Sequence, residues 1–181
     1  MAAESAEETL AALIARGDHR RALEQLADGH GAALARLCYV LLGDVGEAEE
    51  VAQEALLAAH DGFAGYRGEG SPRAWLLGSG RRRCARRLAK RSRRQRRLRL
   101  VPPAEHAPGP DDAFARAEAA RGVRDALERL RPTDREALVL RYQGELSYRD
   151  IGAALGIDEA TARKRTSRAL RRLKDVLGET R

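Results

Sequence analysis

Apolar positions recur at helical spacing along most of this chain, and the breaks between the periodic stretches are marked by glycine, proline and short capping patterns. From Leu10 to Leu26 an apolar-rich stretch is interrupted near Gly17-Asp18, which predicts a short helical hairpin. A second helix is predicted from Gly31 to Leu42, with Leu34, Leu37, Cys38 and Leu41 on one side, stopping at Gly43. Asp44 and Glu47 have capping-box spacing. The helix they open, to about His60, gathers Ala48, Val51, Ala52, Ala55, Leu56 and Ala59 on one face, and Glu50, Gln53, Glu54 and Leu57 on the opposite one. A loop with four glycines, Asp61 to Gly70, contains Phe63 and Tyr66. Ser71 then caps a helix whose first residue is Pro72, where a missing N–H costs nothing. Its buried stripe is Ala74, Leu77, Cys84, Ala85 and Leu88, and the Gly78-Ser79-Gly80 triplet predicts a local kink.

Residues 101–112 contain four prolines and a glycine with no apolar period and read as an extended linker. Beyond it, Val123, Leu127 and Leu130 mark a helix that ends before Pro132. Thr133 to Glu136 has capping-box spacing before Leu138, Val139 and Tyr142. Ser147 caps a short helix with Ile151 and Leu155, Gly156-Ile157-Asp158 makes a turn, and Asp158 caps a last, basic helix. Short helix, turn and longer basic helix is the pattern of a helix-turn-helix. In that last helix Ala162, Thr166, Ala169, Leu170 and Leu173 fall on the core side, while Lys164, Ser167, Arg168 and Arg171 fall outward with Arg163 and Arg165 on the flanks.

Composition agrees with an all-α fold: of 181 residues 34 are alanine, whereas valine and isoleucine together number 10, too few for a sizeable sheet. No apolar run approaches the roughly 18–20 residues of a membrane span, and the acidic, Ala-rich Met1 to Glu8 lacks the basic start of a secretory signal. The chain therefore reads as cytoplasmic and without membrane insertion. Cys38 and Cys84 stand apart from each other and from paired histidines, so they read as small buried side chains, with no disulfide framework and no metal site.

Charge sharpens the picture. The chain has 34 Lys+Arg against 27 Asp+Glu, but 12 basic residues and no acidic one lie between Arg81 and Leu100, and 7 more lie between Arg163 and Lys174. Outside these stretches the balance reverses, to 15 basic against 27 acidic residues. Two concentrated cationic stretches on an otherwise acidic chain point to two polyanion contacts. Asp44 to Asp61 holds six carboxylates and no Lys or Arg, which calls for a basic partner. Its outer face, Leu57 among Glu50, Gln53 and Glu54, is either a solvated surface with a stray leucine or a docking face with an apolar anchor.

In the helix after the glycine loop, Trp75, Arg82 and Arg86 fall along one stripe with Ser79, Arg83 and Lys90 nearby. An aromatic beside cations suits single-stranded or melting DNA, although Trp75 is equally a candidate for the core. In the last helix Arg163, Lys164, Ser167 and Arg168 are candidates for base or groove contacts and Arg171 for a phosphate. His19, His30, His60 and His106 are scattered, with no nucleophile–base spacing, so no catalytic residue and no cofactor is assigned.

Ala48-Glu49-Glu50-Val51-Ala52-Gln53-Glu54-Ala55, Phe63, Tyr66-Arg67-Gly68 and Ser71-Pro72-Arg73-Ala74-Trp75-Leu76 resemble region 2 of bacterial sigma-70 family sigma factors. Ala126 to Pro132, Leu138 to Tyr142, Leu146 to Gly152, Leu155-Gly156-Ile157, Thr161-Ala162-Arg163 and Arg168-Ala169 resemble region 4. With two regions and a linker, the chain is similar to the small extracytoplasmic-function (ECF) subfamily. The resemblance implies two small helical domains, region 2 over 10–99 and region 4 over 114–178, joined by a linker at 100–113. It implies docking of Glu50, Gln53, Glu54 and Leu57 on the β′ coiled coil of core RNA polymerase, and a further contact with the β flap. It also implies opening of a promoter −10 element by Phe63, Tyr66, Trp75, Ser79, Arg82, Arg83 and Arg86, reading of duplex −35 DNA by the last helix, and an anti-sigma partner. Arg82 and Arg86 stand where the family often has Asn and Asp, and Arg offers donors only. Ala162 replaces the usual valine. Two other readings remain open at this point: an ordinary helix-turn-helix regulator, which leaves the acidic face unexplained, and a sigma-like interaction protein that does not read DNA.

Overall fold

The computed structural model describes residues 10–68, 70–97 and 122–179, and the linker read at 100–113 lies outside them. Among the described residues all regular structure is helical, as the composition requires. Residues 10–15 form α1, followed by α2 (His19–Leu42), α3 (Val45–Gly62), a 3-10 turn (Phe63–Gly65) and α4 (Pro72–Arg97). After the linker come α5 (122–128), α6 (Pro132–Tyr142), α7 (Tyr148–Leu155) and α8 (Glu159–Glu179).

Four of the predicted caps form. The Asp44 carboxylate accepts from the Glu47 N–H at 2.8 Å, Ser71 Oγ from Ala74 at 3.1 Å, Ser147 Oγ from Asp150 at 3.1 Å and the Asp158 carboxylate from Thr161 at 2.7 Å. Each satisfies an N–H that a helix start leaves without a partner. Two local expectations are corrected, and a third segment shows what its glycines do. The helix expected to begin at Gly31 is the second half of α2, which crosses Gly29 and Gly31 unbroken because Ala22 and Leu26 before them and Leu34, Leu37 and Cys38 after them share one buried face. Packing of that stripe outweighs the glycine propensity cost. The helix α4 runs through Gly78-Ser79-Gly80 without interruption. These glycines serve close approach: a Cβ on Gly78 would lie 3.2 Å from the Ala154 Cβ, and one on Gly80 2.4 Å from Leu34 Cδ1. Finally, α6 starts at Pro132 with Arg131 as an N-cap that makes no side-chain cap bond, so Thr133 lies inside the first turn instead of capping it.

The buried faces match the periodicity. Ala48, Val51, Ala52, Ala55 and Ala59 line the inner side of α3, and Ala162, Thr166, Ala169 and Leu173 that of α8. Cys38 and Cys84 are both fully buried between α2 and α4, and a hydrogen bond between the two thiols, together with burial, raises the Cys84 pKa well above the thiol norm. Both are small buried side chains, as expected of them.

The helices on either side of the linker pack on each other. A single buried cluster includes Leu34, Leu76 and Leu77 from the first set and Ala137, Leu140, Leu146, Ile151 and Ala154 from the second. The contact is made by α7 and the α6–α7 turn lying along the first half of α4. Small residues allow it: a Cβ on Gly70 would lie 3.0 Å from the Ala153 Cβ. Polar groups fix its register. The Ser71 N–H donates to the Asp150 carboxylate at 2.9 Å, Arg73 meets Glu145 at 3.0 Å, and Arg81 meets Glu136 at 2.8 Å with both side chains largely buried. On the far side Arg124 donates to the Tyr39 hydroxyl at 2.7 Å and lies over its ring. The two sets of helices thus share one core, with a smaller satellite cluster of Leu127, Leu130, Leu138, Ala169 and Leu173.

Two predictions follow from this packing. On α7 a Cβ on Gly152 would lie 2.7 Å from the Ile157 carbonyl oxygen of the turn that follows, a backbone atom that cannot yield cheaply. Gly152→Ala should lower unfolding free energy by roughly 1–3 kcal/mol in urea titrations. His30, half-buried on α2, has its pKa lowered from 6.5 by burial first and by the Arg73 charge second. Below pH 6.5 the unfolded chain therefore binds a proton that the folded chain resists, so this group makes stability fall as pH drops from 6.5 toward the folded pKa. The His30 ring resonances should titrate below 6.5, and His30→Gln should flatten that part of the stability–pH curve.

Candidate nucleic-acid interface and acidic docking face

Two exposed cationic surfaces and one acidic surface stand out on this framework. The first belongs to α8. Its core stripe fixes the helix on α6 and α7, and the cap on Asp158 sets where it starts; hydrogen bonds from the Thr161 side chain and N–H hold the Asp158 carboxyl below its ordinary pKa. Arg163, Lys164, Ser167, Arg168 and Arg171 are all exposed, as expected from the period. Gly156, with φ 67°, closes α7 in the left-handed conformation and turns the chain into α8.

Two of the arginines are held in place by neighbours. Arg163 pairs with Glu159 at 3.0 Å and lies 5.0 Å above the Tyr148 ring, whose ring also stacks with Arg141 at 4.9 Å. Arg168 pairs at 2.8 Å with Asp134, a fully buried carboxylate on α6, and Arg172 approaches the same carboxylate at 3.5 Å. That hydrogen bond raises the Arg168 pKa, so the guanidinium stays charged under all ordinary conditions. Tyr148 and Asp134 escaped the sequence reading. Tyr148 follows a cap directly, a visible signal; Asp134 sat in an apparent capping box, which hid its cross-helix role.

The second surface lies along α4 and the loop before it. Phe63, Tyr66 and Trp75 form one aromatic group, with Trp75 5.7 Å from both other rings. Phe63 is buried at 1% exposure, and Trp75 is partly buried against Gly62, where a Cβ would lie 3.0 Å from the indole. Both readings of Trp75 thus hold a part of the observation, since the ring packs on the core and keeps an exposed edge. Tyr66 donates to the Gly70 carbonyl at 2.6 Å, which ties the loop to the start of α4. Beside these rings a recess of about 600 Å³ opens between α1, His19 and the loop residues Ala64, Arg67 and Gly68. Ser79 is buried and accepts from Arg83 at 2.7 Å, whereas Phe63, though buried, forms part of the recess wall. Arg82 and Arg86 are exposed; partial burial, and then the charges of Arg81, Arg83 and Arg86, lower the Arg82 pKa. Such mutual repulsion is relieved when phosphates arrive.

The acidic surface is the outer face of α3. Glu50, Gln53, Glu54 and Leu57 are all exposed, and Leu57 is 66% exposed among carboxylates. Arg87 of α4 reaches across to Glu50 at 3.1 Å and Glu54 at 3.4 Å. These are solvent-screened pairs, worth about 0–1 kcal/mol each, and a competing cation can displace them. Arg87 was hidden in a tract of identical neighbours. Among the described residues no group of three or more His, Cys, Asp and Glu could hold a metal, and no helix is long and apolar enough to cross a membrane.

Residues 26–94 match the family described as Sigma-70 region 2, and residues 120–173 that described as Sigma-70, region 4. The chain is 33% identical over 171 residues to the ECF RNA polymerase sigma factor SigM of Mycobacterium tuberculosis, an alignment covering 94% of this chain and 84% of that protein. Its structure resembles that of CnrH in complex with the cytosolic domain of CnrY, with a TM-score of 0.70, 28% identity, and 96% and 98% of the two chains covered. It shares its fold also with the sigma factor RpoE of Bartonella quintana, solved with the anti-sigma factor NepR, at a TM-score of 0.67 and 24% identity over 87% of this chain and 98% of that one.

The α8 surface yields a prediction for duplex DNA. Each phosphate neutralised contributes a log–log salt slope of about −0.9. Arg171→Ala should reduce the measured slope by about 1 and weaken binding evenly across sequences, as fits a phosphate contact.

Proposed function

The chain belongs to the ECF group of sigma-70 family RNA polymerase sigma factors, and from that premise we propose how its surfaces divide the work of initiation. It is an alternative sigma factor that directs promoter-specific transcription. The α3 face docks on the β′ coiled coil of core polymerase: Leu57 is the apolar anchor, while Glu50, Glu54 and Gln53 form the polar rim and meet basic groups of the partner. Region 4 contacts the β flap. The aromatic group of Tyr66 and Trp75, with Phe63 beneath, and the cations Arg82, Arg83 and Arg86 take the −10 element as it opens. Bases enter or stack at the loop while phosphates meet the arginines. Ser79 supports Arg83 there. Along α8, Arg163, Lys164, Ser167 and Arg168 face the −35 major groove and Arg171 a phosphate.

The chain forms no covalent bond itself; the polymerase makes the phosphodiester. The protein works in the cytoplasm, and an anti-sigma factor is its expected inhibitor. Region 2 spans 10–99, region 4 spans 114–178, and 100–113 links them.

One observation carries this reading: a single chain presents, in order, an acidic face centred on an exposed leucine and a capped helix-turn-helix with an exposed cationic face. A regulator acting without polymerase has no use for the first, and a protein that does not read DNA has no use for the second.

Run-off transcription with core polymerase on a promoter library tests it. Leu57→Ala should lose co-migration with core polymerase, about tenfold or more in affinity, as truncation of a central anchor does. Arg168→Ala should keep core binding and lose dependence on the −35 sequence. Equal transcription with and without added protein would end the proposal.

A further inference from the structure

Asp134 is the one carboxylate among the described residues with zero exposure, and it stands on α6, outside the helix that faces DNA. Its position in the first turn invites a capping role, yet the helix begins at Pro132 with Arg131 as its N-cap and no side-chain cap. Both Asp134 oxygens are instead engaged by α8: Oδ1 accepts from Arg168 Nη2 at 2.8 Å, and Oδ2 lies 3.5 Å from Arg172 Nη1. The two arginines are one helical turn apart, so a single buried carboxylate grips two successive rungs of one edge of α8.

A buried ion pair is a poor way to gain stability, because desolvation cancels much of the attraction; its dependable product is a fixed geometry. Arg168 Nη2 is anchored on the buried carboxylate, yet the side chain as a whole is about half exposed, at 49%. Arginine has five N–H donors in a planar fork, and a single bond to Asp134 leaves others to meet a base edge or a phosphate. Of the five exposed α8 candidates, Lys164, Ser167 and Arg171 have no comparable buried anchor in the described structure, and Arg163 is held only by surface groups.

We infer that Asp134 is a positioning residue for promoter recognition: it holds Arg168, with Arg172 as the second tether, in the orientation in which Arg168 discriminates the −35 sequence. This inference rests on the reading that α8 enters the −35 duplex. Asp134 does not touch DNA; it acts through Arg168. Removing its charge frees a flexible arginine, which still attracts phosphates and no longer favours one base edge.

The test uses holoenzyme reconstituted from core polymerase and the full chain, on a promoter selected from a library and on the same promoter with its −35 element scrambled. The readout is the ratio of transcript from the two. Asp134→Asn, nearly the same size, should lower that ratio roughly five- to tenfold, within the range that one base-reading arginine supplies, while transcription from the scrambled promoter stays level or rises. A merely structural role would lower both transcripts together. The double variant Asp134→Asn with Arg168→Ala should be no worse than Arg168→Ala alone, because the two residues act as a unit.

An unchanged ratio with Asp134→Asn, or effects of the two substitutions that multiply, overturns the inference. Should Arg168→Ala itself leave the ratio unchanged, the placement of α8 in the −35 duplex falls, and the inference falls with it. Should Asp134→Asn fail to fold, the wild-type protein still decides: guanidinium rotation of Arg168, followed by NMR, should be slower than that of Arg171, and equal rates overturn the inference.

Discussion

The first half of α4 is pressed between the helices before it and the helix-turn-helix after the linker, and the functional surfaces take their positions from that burial. Leu76, Leu77 and Cys84 of α4 are fully buried, and Gly78 admits α7 to near contact with the helix backbone. A larger residue at Gly78 or Gly70 would push α7 away and open the shared core. Because α7 is joined to α8 by a tight turn, the placement of α7 on α4 also aims the cationic face of α8. The arginine tract follows on the same helix, with Arg82, Arg86 and Lys90 exposed, so a single helix is an apolar wedge at one end and strongly cationic toward the other.

Electrostatics on this framework work at two strengths. The surface pairs of Arg87 with Glu50 and Glu54 are screened and readily exchanged for another cation, which suits the docking role proposed for that face. Arg81 with Glu136, and Arg168 with Asp134, engage carboxylates that are largely or fully buried. Such pairs resist exchange, since breaking one leaves a charge without water or partner. The first kind dresses a docking surface and the second fixes where helices lie. Both kinds join arginines to carboxylates, so charge counting alone does not separate them.

Much of the candidate site was legible in the residue order. Exposed Leu57, the five α8 residues and Arg82 with Arg86 followed from a 100° period, because a helix face is fixed by the backbone that the residue itself belongs to. Phe63 and Ser79 are buried, which the period of their own segments did not foretell. Their burial is imposed by His19, Trp75 and α2, none of which a single helix's period reveals. The glycines of α4 are poor helix formers locally, yet they lie in one continuous helix where they admit close packing against Leu34 and Ala154.

The amino-acid order by itself determined that the chain is helical, four of the caps and the sign of charge on each outer face, since these depend on groups within about four residues of one another. Tertiary structure decided which charges are paired, which aromatics are sealed, and that the two halves share a core. Those outcomes join groups far apart in the chain, such as Ser71 with Asp150, 79 positions on, and Asp134 with Arg168, 34 positions on. No local period encodes such distances; they arise only when whole helix faces are buried together and the polar groups caught between them must find partners.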